Sequence, residues 1–422
     1  MNVMTTLMAT LPALGNLGGN LGGDRKFNLQ SNTLMLDVWL VGALILLLTI
    51  GLVMVSSASL HISARAFHQP WYYTIRQAAF MGMGLVAALI VLRIPLVAWE
   101  RLGPMLVICG MVLLVMVLIP GIGRKINGAS RWINLGILNL QVSELMKLFV
   151  IVYMAGYLVR RGEEVRTTVK GFLKPMGLLA VIAVLLLLEP DFGSTSVIMM
   201  TAMGMLFIGG VRLWQFGVLV AVVASAMATL AITSPYRMQR LTTFLDPWAD
   251  PFNSGFQLTQ ALIAIGRGEI WGVGLGSGVQ KLFYLPEAHT DFLFSVMAEE
   301  FGLLGSVIVI GLFVTVVVRA FIVGSRAEKI GAHFDGYVAY GIGLWLGLQA
   351  FINIGVNMGV LPTKGLTLPL MSYGGSSIVV TCMAAALLLR VDYEVRRSGR
   401  QADRRNNEPD RRDNPQERRV RA

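Results

Sequence analysis

The sequence predicts an all-α, polytopic integral membrane protein with ten transmembrane helices. Both termini are expected on the cytoplasmic side, with one large extracytoplasmic loop between helices 7 and 8. Three observations carry that prediction. Hydrophobic residues make up 55% of the 422 residues and charged residues only 14%, against about 25% charged in a soluble globular chain. Apolar stretches near the length that crosses a bilayer, about 20 residues, recur along the chain. Basic residues gather in alternate connecting segments, the pattern that sets orientation in multi-span proteins. Together these exclude an ordinary soluble enzyme and a disordered chain.

The spans are expected at 38–57, 77–92, 102–120, 141–159, 175–188, 193–211, 214–233, 292–318, 336–357 and 376–391, the fifth and last being short. Residues 1–36 read as a flexible cytoplasmic lead-in. They do not read as a cleavable signal, because basic residues are missing at the start and the glycine-rich run Gly15–Gly23 interrupts any apolar core. Residues 37–392 then form the membrane domain, with 234–291 as its large outer loop, and 393–422 a disordered, Arg-rich cytoplasmic tail. That tail lacks any apolar run that could bury a core.

The net charge is +11. In a soluble protein such an excess suggests nucleic-acid binding. Here its position argues otherwise. Of the 35 Lys and Arg residues, 24 fall in the segments placed on the cytoplasmic side, including five in the short loop 160–174 and eleven from Arg390 to Arg421. Orientation, not nucleic acid, accounts for most of the charge. The loops 58–76, 121–140, 234–291 and 358–375 are therefore expected outside. No G-x-x-x-x-G-K-[ST] phosphate loop occurs, and the glycine-rich run Gly272–Gly278 reads as a tightly turning loop. Cys109 and Cys382 lie in apolar runs, and the four histidines are too scattered for a metal motif.

Polar residues at membrane depth are costly and mark function or helix pinning. Glu144 and Lys147, spaced i,i+3 at the start of the fourth span, share one helix face. Gln141 and Ser143 extend that polar end. Arg131 beside Trp132 suits either a snorkelling interfacial residue or a contact with an anionic head group. In Glu189-Pro-Asp191 the carboxylate of Asp191 reads as a helix cap. The large loop holds Arg237, Arg240 and an amphipathic stretch, 256–265, suited to a membrane interface. It ends at Asp291, where the chain re-enters the bilayer. A partly desolvated carboxylate there could act as a base, although the residues alone favour capping of the eighth span by Thr290 or Asp291. The last outer loop carries Lys364 and Ser372 among prolines and glycines, and irregular backbone at that depth survives only inside protein or along a cavity. With Lys147, Arg131, Arg237, Arg240 and Lys281, Lys364 makes an outward set of cations that suits a lipid pyrophosphate.

Two long motifs carry a resemblance. Leu285-Pro-Glu-Ala-His-Thr-Asp-Phe292 with Ala298-Glu-Glu-Phe-Gly302, and Asn353-Ile-Gly355 through Ser372-Tyr-Gly-Gly-Ser-Ser377, resemble the SEDS family (shape, elongation, division and sporulation). Gly128–Ile133, Glu189–Gly193 and the ten-span pattern agree, so the resemblance covers roughly 35–395. Leu361-Pro-Thr-Lys-Gly-Leu-Thr367 is similar to the division branch. Gln141-Val-Ser-Glu144 departs from the family's usual Gln-Pro-Ser-Glu, which puts the local geometry of the helix start in question.

The resemblance implies an inverting peptidoglycan glycosyltransferase of the bacterial cytoplasmic membrane, working in septal cell-wall synthesis. It would polymerise lipid II, a disaccharide-pentapeptide on polyprenyl pyrophosphate, with Asp291 as general base. Lys147, Glu144, Arg131, Lys364, Ser372, Arg237 and Arg240 are the implied substrate-binding residues. A divalent cation, Mg or Mn, would be compatible with the pyrophosphate. The implied partners are a class B penicillin-binding transpeptidase and the regulators of the division machinery. A lipid II flippase, an elongation-type polymerase and a non-catalytic division scaffold remain alternatives at this point.

Overall fold

The computed structural model describes residues 36–126, 129–134, 136, 139–232, 244–253, 255–282, 284–362 and 365–407. All belong to one compact unit, Met35–Ala422. The lead-in 1–35, the final residues 408–422, Arg237, Arg240 and Lys364 lie outside the described residues.

The chain forms α1 (Val38–Phe67), α2 (Tyr72–Arg93) and α3 (Leu96–Leu118), then three short strands, β1 (Gly123–Ile126), β2 (Ala129–Asn134) and β3 (Asn139–Gln141). Then follow α4 (Val142–Thr167), α5 (Val169–Leu188), α6 (Phe192–Ile208), α7 (Leu213–Ile232) and α8 (Phe256–Gly268). The chain closes with α9 (Leu293–Lys329), α10 (His333–Asn357) and α11 (Gly375–Asn407). Among the described residues, seven helices are long and apolar enough to cross a membrane: α1–α5, α9 and α10. The apolar α6 is shorter.

Burial explains the layering. α4 and α10 are enclosed along most of their length. α9 instead buries one stripe (Ser306, Val309, Phe313, Val316, Ala320) and exposes another of equally apolar residues (Leu303, Leu304, Val307, Ile308, Val314). An apolar outer face of this length suits acyl chains, not water. α10 packs between α9, α4 and α6, so the two enclosed helices sit at the centre of the bundle.

Four features depart from the sequence reading. First, the fold is not purely helical. The segment 123–141, read as part of an outer loop, pairs into an antiparallel sheet of order β1-β2-β3, with Trp132 opposite Gln141 and Asn134 opposite Asn139. β3 runs straight into α4, so the sheet fixes the start of that helix. Second, the helix expected as a continuous eighth span is broken at Gly302, whose φ of 65° and ψ of −160° lie far from helical values. Third, the helix of the last span does not stop near 392. α11 continues to Asn407, because Arg390–Glu394 and Arg396–Asp392 pair at i,i+4 and Arg396 also reaches Asp37. Fourth, the missing proline at 142 does not disturb α4. Val142 occupies its first helical position and is buried there, a place where proline and ordinary residues both fit.

Candidate functional site

Asp291 stands one residue before the N-cap of α9, half-buried, with α9 starting at Leu293. The N-cap residue is Phe292, with no side-chain cap bond, and Thr290 is turned to Glu287. What holds Asp291 comes from α10. The side-chain amides of Asn353 and Asn357 both donate to its main-chain carbonyl at 2.9 Å. Asn357 in turn accepts from the amide and hydroxyl of Ser295 on α9. One helix thus sets the height of the residue and another sets its turn.

The other wall is the loop 365–374. Gln349 donates to the Thr367 carbonyl at 2.9 Å, and Asn353 donates to that of Leu366. Ser372 accepts from the Leu368 amide at 2.9 Å, while its carbonyl accepts from Gln77. Ser372 is buried, so its hydroxyl closes the loop. Gly365 lies directly against the Asp291 carboxylate. A Cβ there would sit 3.1 Å from Oδ2, closer than ordinary contact, so the glycine keeps that approach open. His289 completes the neighbourhood. Its carbonyl accepts from the Tyr373 amide, and its ring lies among Tyr73 and Tyr373. Burial holds the His289 imidazole below its ordinary pKa against the opposing charge of Glu287, so it is neutral at pH 7. Burial also pushes the Tyr373 phenol up to about 12, with Arg76 acting in the opposite direction.

The polar pair on α4 is joined to the same loop. Lys147 Nζ lies 2.7 Å from Glu144 and 2.9 Å from Gln349 Oε1, beside the Trp345 ring. Gln349 therefore connects Lys147 to Thr367. Lys147 is only 2% exposed. The structure places its charge inside the bundle, behind the loop, and not on an open outer surface. Arg131, on β2, donates to the carbonyls of Glu189 and Pro190 at 3.1 and 2.6 Å. It fastens the sheet onto the α5–α6 turn and stays half-exposed. Asp191 caps α6 through the Ser194 amide, as expected, and also accepts from Ser143 and Gln141. Lys281, read as an outward cation, is buried and ion-paired with Glu300, with Ser57 bonded to both. It pins the large loop to α1.

Glu189 is buried, and among the described residues nothing hydrogen-bonds either of its carboxyl oxygens. Burial, then the charge of Asp191, pushes it up to about 8, against the pull of Arg131. Its folded pKa exceeds its unfolded value, so the folded state holds the extra proton and stability falls as pH rises from about 4.5 to about 8. The loss from this group is on the order of 1 kcal/mol per pH unit. Melting temperatures measured from pH 5 to 9 should show a steeper decline in wild type than in Glu189→Gln. Parallel curves would contradict this assignment.

Among the described residues no group of three His, Cys, Asp or Glu side chains is placed to hold a divalent ion.

As site residues, Gln349, Asn353 and Asn357 escaped the sequence reading, in which Asn353 figures only as part of a motif. Their signal was available: amides spaced four residues apart on an otherwise apolar helix are as costly in a membrane as Glu144 and Lys147.

The comparisons agree with this architecture. A family model for FtsW, RodA and SpoVE, described as "Cell cycle protein", matches residues 38–397. A protein of Nitrosococcus halophilus named "Probable peptidoglycan glycosyltransferase FtsW" is 60% identical over 360 residues, covering 85% of this chain and 93% of that one. A Legionella pneumophila protein of the same name is 56% identical, covering 85% and 91%. Among solved structures, the rod shape determining protein RodA of Thermus thermophilus superposes with a TM-score of 0.63 at 28% identity, covering 85% of this chain and 96% of that one. A chain from a peptidoglycan synthase complex that coordinates polymerization and crosslinking gives 0.69 at 28% identity, covering 86% and 99%. The chain is an integral membrane protein belonging to the FtsW/RodA/SpoVE family of cell cycle proteins.

Proposed function

We propose that this chain is a peptidoglycan glycosyltransferase that polymerises lipid II at the outer face of the cytoplasmic membrane during division, with Asp291 as its general base. The observation that carries the reading is the seat of Asp291. A carboxylate one residue ahead of the α9 N-cap has its main-chain carbonyl held by two asparagine amides and faces a glycine that leaves it room. The relatives named as peptidoglycan glycosyltransferases supply the reaction class.

In that reaction Asp291 takes the proton of the acceptor's C4 hydroxyl. The oxygen attacks the donor's anomeric carbon from the side opposite the pyrophosphate. The C1–O bond breaks, its electron pair leaves on polyprenyl pyrophosphate, and configuration inverts. The donor is already activated, so no nucleotide is consumed. Cationic groups near the leaving oxygens lower the barrier. Arg131, half-exposed on the sheet, serves this purpose, together with Lys364, Arg237 and Arg240. Lys147, enclosed with Glu144, acts from behind the loop through Gln349, and Ser372 shapes the loop.

The proposed topology has ten spans, α1–α7 and α9–α11, with both termini cytoplasmic. It is supported by the meeting of the start of α1 with α9 and α11, where Asp37 contacts both Arg319 and Arg396. The partner would be a class B transpeptidase at the septum, with division regulators.

The test is polymerisation of fluorescent lipid II by the full chain and its transpeptidase partner in sealed proteoliposomes, substrate being supplied on the outer-leaflet side. Elongated glycan is expected. Lipid II crossing the bilayer with no glycan formed would replace this reading with a flippase. Asn357→Ala should lower kcat on the order of 10²-fold by loosening the base, with KM little changed. A kcat equal to wild type would show that α10 does not position Asp291.

A further inference from the structure

The break in α9 has a companion that the reaction does not use. Residues 269–274 lie alongside it and exchange four main-chain hydrogen bonds with it. The amides of Leu303 and Leu304, at the start of the second half-helix, donate to the carbonyls of Glu269 and Ile270 at 2.9 and 3.2 Å. The carbonyls of Glu299 and Glu300, at the end of the first half-helix, accept from Val273 and Gly274 at 3.0 and 3.1 Å. Four of the main-chain groups freed by the break are thereby satisfied. The exchange needs two glycines in contact, since a Cβ on Gly302 would sit 2.4 Å from the Gly272 amide nitrogen.

These bonds also fix a level. Every α9 residue from Leu293 to Glu300 is buried, and the exposed apolar stripe begins immediately afterwards, with Leu303 at 58%. Residues 269–274 sit level with that first lipid-facing turn. At this level they expose Ile270 at 58% and Trp271 at 78%, with Leu275 at 55% just beyond. A bare tryptophan at the border between an enclosed segment and a lipid-facing stripe is where the aromatic belt of a membrane protein lies. Ile270 is bonded through its main-chain carbonyl to Leu304, itself exposed at 50%, so these exposed apolar residues are neighbours.

We propose that Ile270, Trp271 and Leu275 form an anchor seated in the lipid interface on the Asp291 side, holding the break at Gly302 at the membrane boundary. The anchor keeps the short first half of α9, which follows Asp291, from sliding with respect to the bilayer. It stands independently of the reaction, because it rests on exposure and hydrogen bonding alone.

The experiment places a nitroxide at Leu275→Cys, which leaves Trp271 in place, and separately at Trp271→Cys. Both use the full-length Cys109→Ser, Cys382→Ala chain in phosphatidylethanolamine–phosphatidylglycerol nanodiscs. Ile308→Cys reports the acyl region and Glu287→Cys the solvent. Collision rates with oxygen and a water-soluble nickel chelate give depth. Both test labels should read about 5–10 Å below the phosphates, the depth of an interfacial apolar face, with chelate collisions several-fold below those at 287. Chelate collisions equal to those at 287 would overturn the anchor. So would shielding from both reagents, since protein, a partner or a second copy, would then cover the face.

Discussion

Asp291→Asn should lower the rate of lipid II polymerisation by about 10²–10⁴-fold, the range that a positioned acid–base group supplies, while leaving the melting temperature at the wild-type value. Asparagine keeps the shape of aspartate. The main-chain carbonyl would still accept from Asn353 and Asn357, and Gly365 would still leave space. Only the capacity to take a proton is lost. Asp291→Glu tests position instead of chemistry. It retains the carboxylate but lengthens it against the chain at Gly365, so its activity should fall between those of wild type and Asp291→Asn. Full activity in Asp291→Asn would remove this residue from the mechanism.

The second large effect concerns the enclosed pair on α4. Glu144→Leu leaves the Lys147 ammonium, 2% exposed, without its carboxylate. Breaking a buried pair in this way costs about 3–5 kcal/mol. The double variant Glu144→Leu, Lys147→Met removes both charges together and should recover most of that stability, because an apolar pair of similar volume is often neutral. Its activity should stay low, since Gln349 would lose the Lys147 contact that helps fix it beneath Thr367. Thermal melts of the two single variants and the double, with polymerisation rates, separate the roles. A single variant as stable as wild type would contradict the enclosure of the pair.

The helical bundle was legible because a bilayer demands long apolar runs, and such runs survive in a bare sequence. α1–α5, α9 and α10 announce themselves that way. The sheet at 123–141 was not legible. Its strands are three to six residues long, and their pairing depends on a turn and a sheet-to-helix junction that composition does not encode. The break at Gly302 was hidden for a related reason. A glycine inside an apolar run reads as a tolerated helix residue until its companion at Gly272 is known.

Of the site, Asp291 and the Glu144–Lys147 pair were marked by their cost in a membrane. Their surroundings were not. Nothing local tells a lysine facing a cavity from one closed over by Gln349 and Trp345, and Lys281 likewise became an internal tie to Glu300. The asparagines of α10 act on a main-chain carbonyl more than sixty residues away in sequence, a relation that only the packed helices make visible.

One chain carries the proposed polymerising chemistry, and Asp291 performs it. The most direct measurement is glycan chain formation from purified lipid II by wild type and Asp291→Ala, each at equal loading and with the same transpeptidase partner. Wild type should give a glycan ladder, and the variant product reduced at least about 10²-fold with an unchanged melting curve. Equal ladders from the two proteins would contradict it.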